Sequence, residues 1–115
     1  MSVTIFHNPA CTTSRKALAA IRDSGVEPEV VEYLKTGWTV PQLKRLLTAM
    51  GKTPRDILRV RGTPADELGL TKPGASDEAI LKAMTEHPVL VERPIVVTPK
   101  GAVLARPLEA LIPLL

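Results

Sequence analysis

Val3-Thr4-Ile5-Phe6-His7-Asn8-Pro9-Ala10-Cys11-Thr12-Thr13-Ser14-Arg15 is an apolar run that breaks at a turn and resumes as a helix start. Val3 to Phe6 reads as a short, mostly buried strand. His7 to Cys11 reads as a loop, because Asn-Pro initiates turns. From about Thr13 to Ser24, Ala17, Leu18 and Ile21 recur at helical spacing, with Arg15, Lys16, Arg22 and Asp23 outside. Gly25 supplies a left-handed stop. Glu29-Val30-Val31-Glu32-Tyr33 alternates and reads as a second strand. Strand, helix and strand make a β-α-β unit, whose crossover is right-handed with parallel strands. The chain therefore opens as an α/β fold.

Further along, Thr39 caps a helix with Pro41 in its first turn and Leu43, Leu46, Leu47 and Met50 as its apolar stripe. Gly51 stops it. Thr53-Pro54 starts a short helix from Arg55 to about Arg59, and Thr63-Pro64 a third that ends near Leu68-Gly69. Ser76 caps a fourth, Asp77 to Glu86, with Ile80, Leu81 and Met84 inward. The period then changes. Ile95-Val96-Val97-Thr98 is a β-branched strand, Pro99-Lys100-Gly101 a hairpin turn, and Ala102 to Ala105 the returning strand. Pro107 to Leu115 reads as a short terminal helix. The order is β-α-β, a helical insertion, then β-β-α, in one domain spanning residues 1–115.

Composition narrows the function. Aromatic residues are 3%, too few for base stacking on single-stranded nucleic acid. The net charge of +3 comes without a basic run, so no nucleic-acid partner is expected. No apolar stretch approaches the length of a membrane span, and the N-terminus lacks the basic and apolar regions of a signal peptide. The single cysteine cannot form an internal disulfide, which fits a reducing cytoplasm. Two histidines and one cysteine lack a metal-ligand spacing, so no metal is expected.

Cys11 is the candidate nucleophile. It precedes a helix, where backbone N–H groups and the dipole favour a thiolate and hold anions. Thr12, Thr13 and Ser14 add hydroxyls and N–H groups, and Arg15 adds positive charge. His7 either orients the loop or stabilises the thiolate. Arg93 and Arg106 each precede a proline at one end of the hairpin, which places two guanidiniums on one edge of the sheet. The guanidinium is a rigid fork suited to tetrahedral oxyanions. Arg22, Arg45 and Arg55 read as solvated helix faces.

His7-Asn8-Pro9-x-Cys11-x-x-Ser14-Arg15, Ile57-Leu58-Arg59, Glu67-Leu68-Gly69-Leu70 and Arg93-Pro94-Ile95-Val96-Val97-Thr98 together resemble the ArsC family, the thioredoxin-fold arsenate reductases coupled to glutathione and glutaredoxin. The resemblance runs from Val3 to about Leu108. It implies a thioredoxin-like mixed sheet with a helical insertion and a cis bond before Pro94. It also implies Cys11 as nucleophile, His7 as the residue that helps keep it ionised, and Arg59, Arg93 and Arg106 as oxyanion ligands. Ser14 and Arg15 match the end of the family's loop motif and join the substrate-binding set. The implied reaction is reduction of arsenate to arsenite with no bound cofactor, glutathione as co-substrate and glutaredoxin as partner, in a cytoplasmic monomer. Thr12 stands where members often carry glycine, which narrows the approach to the sulfur.

Other readings of the same residues are an Spx-like regulator binding RNA polymerase and a general glutathione-dependent thiol reductase. Spx-type proteins use Cys-x-x-Cys, and Ser14 here occupies the second position, which excludes a disulfide switch. Clustered arginines favour an inorganic anion over a general thiol substrate. Phosphatase chemistry calls for Cys-x5-Arg, against Cys-x3-Arg here.

Overall fold

The computed structural model describes residues 2–115. The regular elements are β1 (Thr4–Phe6), α1 (Thr12–Asp23), β2 (Glu29–Val31), α2 (Tyr33–Thr36), α3 (Val40–Met50), α4 (Asp77–Glu86), β3 (Ile95–Thr98) and β4 (Gly101–Leu104). Single-turn 3-10 segments cover Pro54–Ile57 and Pro88–Leu90, and a longer one covers Leu108–Leu114. The chain divides into two compact units. One is Gly37–Glu92, and the other is built from the segments that flank it.

The flanking segments form a four-stranded mixed sheet in the order β2-β1-β3-β4. β1 runs parallel to β2 with Ile5 opposite Val30, and antiparallel to β3 with Ile5 opposite Val96. β3 and β4 make the expected hairpin, with Val96 opposite Val103. Val3, Ile5 and Val96 from the sheet bury against Ala17 and Ile21 of α1, together with Ala105 and Leu111. Each fully buried Ile or Val contributes about 1.5–3 kcal/mol. This packing fixes the N-terminus of α1 at the end of β1. At the other end of α1, Gly25 takes φ +93°, a conformation cheap only for glycine.

The second strand is shorter than the sequence pattern predicts. It ends at Val31, and Tyr33 opens α2 instead of closing β2. The Glu32 carbonyl accepts the N–H groups of Lys35 at 2.9 Å and Thr36 at 3.1 Å, which curls the chain and buries the Tyr33 ring.

In the Gly37–Glu92 unit, Thr39 and Gln42 form a reciprocal capping box on α3, and Gly51 ends it at φ +67°. Ser76 caps α4 by accepting the Ala79 N–H. Leu43, Leu46 and Leu47 of α3 and Ile80, Leu81 and Met84 of α4 are buried, as their spacing predicts. Two expected helices take other forms. Arg55 to Arg59 is a 3-10 turn ending at Ile57. The segment from Thr63 forms hydrogen-bonded turns, with the Leu68 N–H on the Pro64 carbonyl and the Leu70 N–H on the Ala65 carbonyl. Gly62 and Gly69 bracket a stretch too short to repay helix nucleation. The terminal helix is likewise 3-10, Leu108–Leu114, with Pro113 inside it. Arg55 does more than face solvent. Its guanidinium donates to the carbonyls of Leu70, Lys72 and Ala75 at 3.4, 3.0 and 3.0 Å.

Candidate active site

Cys11 is the N-cap residue of α1, with extended backbone at φ −94° and ψ 122° and a half-buried side chain. The loop that presents it is closed by its own polar groups. The His7 N–H reaches the Val31 carbonyl at 2.8 Å, so the loop leaves the sheet still tied to β2. The Asn8 carbonyl accepts the Cys11 N–H at 3.0 Å, and Asn8 Oδ1 accepts the Ala10 N–H at 2.9 Å. Ser14 Oγ lies 2.7 Å from His7 Nδ1 and accepts the Asn8 N–H at 3.1 Å. His7, Asn8 and Ser14 are all buried, so this bonding is required of them. Arg15 braces the loop from outside. Its guanidinium donates to the Pro9 carbonyl at 2.9 Å and to Thr12 Oγ1 at 3.3 Å.

The β3–β4 hairpin supplies the opposing side. The Arg93–Pro94 and Arg106–Pro107 bonds are both cis. Arg106 Nη1 donates to the Arg93 carbonyl at 3.0 Å and lies 3.8 Å from Cys11 Sγ, the contact of a weak N–H···S hydrogen bond. The structure thus brings together residues that the sequence separates by more than ninety positions.

Charge at the sulfur follows from these neighbours. Burial pushes the thiol pKa up, but the Ser14 N–H and the guanidiniums of Arg93 and Arg106 outweigh it, so the thiol sits below its ordinary value. No acidic residue lies in the first turn of α1 to oppose the anion. Burial lowers the pKa of His7, nearby Glu32 opposes, and Arg22 and Arg15 add to the lowering. The ring is therefore neutral near neutral pH and bears on the loop through Ser14.

Two contributors escaped the sequence reading. Asn8 registered as half of a turn signal and as a motif position with no role of its own, yet its carbonyl and side chain shape the loop. Tyr33, the chain's one tyrosine, is buried beside Arg93 and Asn8. Burial raises its pKa, and those two neighbours pull it back. Its uniqueness in a chain poor in aromatics was the available signal.

Arg59 belongs to the Gly37–Glu92 unit. Its Nη1 pairs with Glu92 Oε1 at 2.8 Å, and its backbone N–H donates to the Leu90 carbonyl at 2.7 Å. Among the described residues no group of three or more His, Cys, Asp and Glu is placed to hold a metal ion. No described helix is long and apolar enough to cross a membrane.

A single cysteine at the start of a helix, facing two arginines and carried on a β-α-β and β-β sheet, defines a thioredoxin-like protein. The chain belongs to the ArsC family, whose family model matches residues 6–112. It is 52% identical over 115 residues to an arsenate reductase of Rhizobium meliloti (strain 1021), covering 100% of this chain and 82% of that one. It is 45% identical over 114 residues to an arsenate reductase of Escherichia coli (strain K12), covering 99% of this chain and 81% of the other. Among solved structures, an arsenate reductase from Vibrio cholerae superposes with a TM-score of 0.94 at 42% identity, over 100% of this chain and 98% of that one.

Proposed function

We propose that this protein is an arsenate reductase that works through a single thiolate. The observation that carries the reading is the Arg106 guanidinium 3.8 Å from a Cys11 sulfur whose ionised form is favoured. Membership of the ArsC family and full-length similarity to arsenate reductases support it.

The chemistry follows from the thiolate. The N–H groups at the start of α1 and the guanidiniums of Arg93 and Arg106 receive the oxyanion, and the family resemblance assigns Arg59 to the same anion. Cys11 Sγ displaces a hydroxyl of arsenate, which leaves as water, and a sulfur–arsenic bond forms. The chain has no second cysteine, so an external thiol must complete the reduction. Glutathione supplies that thiol. Arsenic(V) accepts two electrons and leaves as arsenite, while the two sulfurs are oxidised to a Cys11–glutathione disulfide. Glutaredoxin then exchanges that disulfide and regenerates the thiol. Ser14 and His7 hold the loop in register, with Ser14 also presenting its N–H to the sulfur. Arg15 keeps the loop braced at Pro9 and Thr12.

The test is a coupled assay that follows NADPH oxidation with arsenate, glutathione, glutaredoxin and glutathione reductase. Oxidation that depends on both arsenate and this protein is expected. A flat trace from correctly folded protein contradicts the proposal.

A further inference from the structure

The Arg59–Glu92 pair is preset by the backbone. The Arg59 N–H donates to the Leu90 carbonyl at 2.7 Å and the Glu92 N–H to the Ile57 carbonyl at 2.8 Å, around an antiparallel bridge between Leu58 and Val91. Two facing segments thus hold the side chains together before any ligand arrives. Arg59 Nη1 meets Glu92 Oε1 at 2.8 Å, with the two side chains 20% and 25% exposed. At that exposure the pair is screened less than a surface ion pair, yet solvent still reaches it.

Glu92 Oε1 takes one N–H donor of the Arg59 guanidinium and offsets its charge, both of which an oxyanion would use. We propose that Glu92 is the resident counter-ion of Arg59, and that an incoming oxyanion competes with its carboxylate for the arginine. This rests on the reading above that Arg59 holds the oxyanion. Glu92 then sets affinity and selects by charge. A doubly charged tetrahedral anion gains enough from the guanidinium to replace a carboxylate, whereas a singly charged anion only matches it. The residue is a selectivity element paired to a binding arginine, and the cost of that competition falls on substrate binding.

The experiment compares wild type, Glu92→Gln and Arg59→Ala in the coupled assay, measuring KM for arsenate and inhibition by nitrate, a singly charged oxyanion. Glu92→Gln keeps the shape and removes the charge. It should lower KM roughly three- to tenfold and make the enzyme more sensitive to nitrate. A KM that is unchanged or raised overturns the proposal, and a raised KM assigns Glu92 the opposite role of aiming Arg59. Arg59→Ala separates this failure from failure of the underlying reading. It should raise KM; if it does not, Arg59 is no anion ligand and both statements fall. Should Glu92→Gln not accumulate as folded protein, Glu92→Ala carries the same expectation for KM and nitrate.

Discussion

Arg106 and Arg59 are the same residue type placed in opposite electrostatic company. Arg106 sits in the unit that carries the sheet, where its guanidinium meets the Arg93 carbonyl and the Cys11 sulfur. Arg59 sits in the Gly37–Glu92 unit, where its guanidinium meets a carboxylate. A carbonyl orients a guanidinium without bringing a formal negative charge to it, and here it aims the Arg106 guanidinium at the sulfur. A carboxylate brings one. One resemblance assigns both arginines to an oxyanion, but their neighbours give them different readiness to take one.

Removing the sulfur should have the largest effect, because it removes what the Arg106 charge acts upon. Cys11→Ser is expected to lose arsenate reduction entirely in the coupled assay, and retained turnover would mean that the thiol is not the nucleophile. Next comes Arg106 itself. Arg106→Ala deletes a charge-assisted contact worth about 1.5–3 kcal/mol, or roughly a ten- to hundredfold rise in KM for arsenate. An effect no larger than that of Arg59→Ala would erase the contrast between the two arginines.

Smaller effects sharpen the scaffold side of the contrast. Ser14→Ala leaves the buried His7 ring and Asn8 N–H without their shared partner. It should lower unfolding stability by about 1–3 kcal/mol, read by chemical denaturation. No loss would show that the loop keeps its shape without this hydroxyl. The smallest effect concerns His7. Its folded pKa lies below the ordinary value of 6.5, so as pH falls the unfolded chain takes up the proton first. Stability should fall as pH drops through and below 6.5, and His7→Gln should flatten that slope in urea midpoints measured from pH 7 downward. An unchanged slope would place the ring's titration outside the folding equilibrium.

Much of this arrangement is legible in the residues. The apolar run from Val3 to Phe6, the Asn-Pro turn and the stripe of Ala17, Leu18 and Ile21 announce β1, the loop and α1 with Cys11 at the junction. The two Arg-Pro pairs bracket a recognisable hairpin, so Arg93 and Arg106 fall at one end of it by topology alone, although β3 is an interior strand and not an edge. Arg59 has no such local signal and was reached only through the family resemblance. Its pairing with Glu92 depends on a bridge between segments more than thirty residues apart, which no periodicity reports. The bond between His7 and Ser14 is hidden for a related reason: the loop folds back across seven residues, and spacing along a chain does not show reversal. Helix signals failed where segments were short. The proline starts at Thr53-Pro54 and Thr63-Pro64 were genuine, but too few residues followed for α-helical turns to propagate. Arg55 is exposed, as its position suggests, but it also bonds three carbonyls fifteen to twenty residues away, which no local spacing reports.

The most direct measurement is the pH dependence of Cys11 alkylation by iodoacetamide, which reports one thiol because the chain has one cysteine. The account predicts a midpoint below the ordinary thiol value that moves upward in Arg106→Ala. A midpoint at or above the ordinary value in the unaltered protein, or one that Arg106→Ala leaves in place, would contradict it.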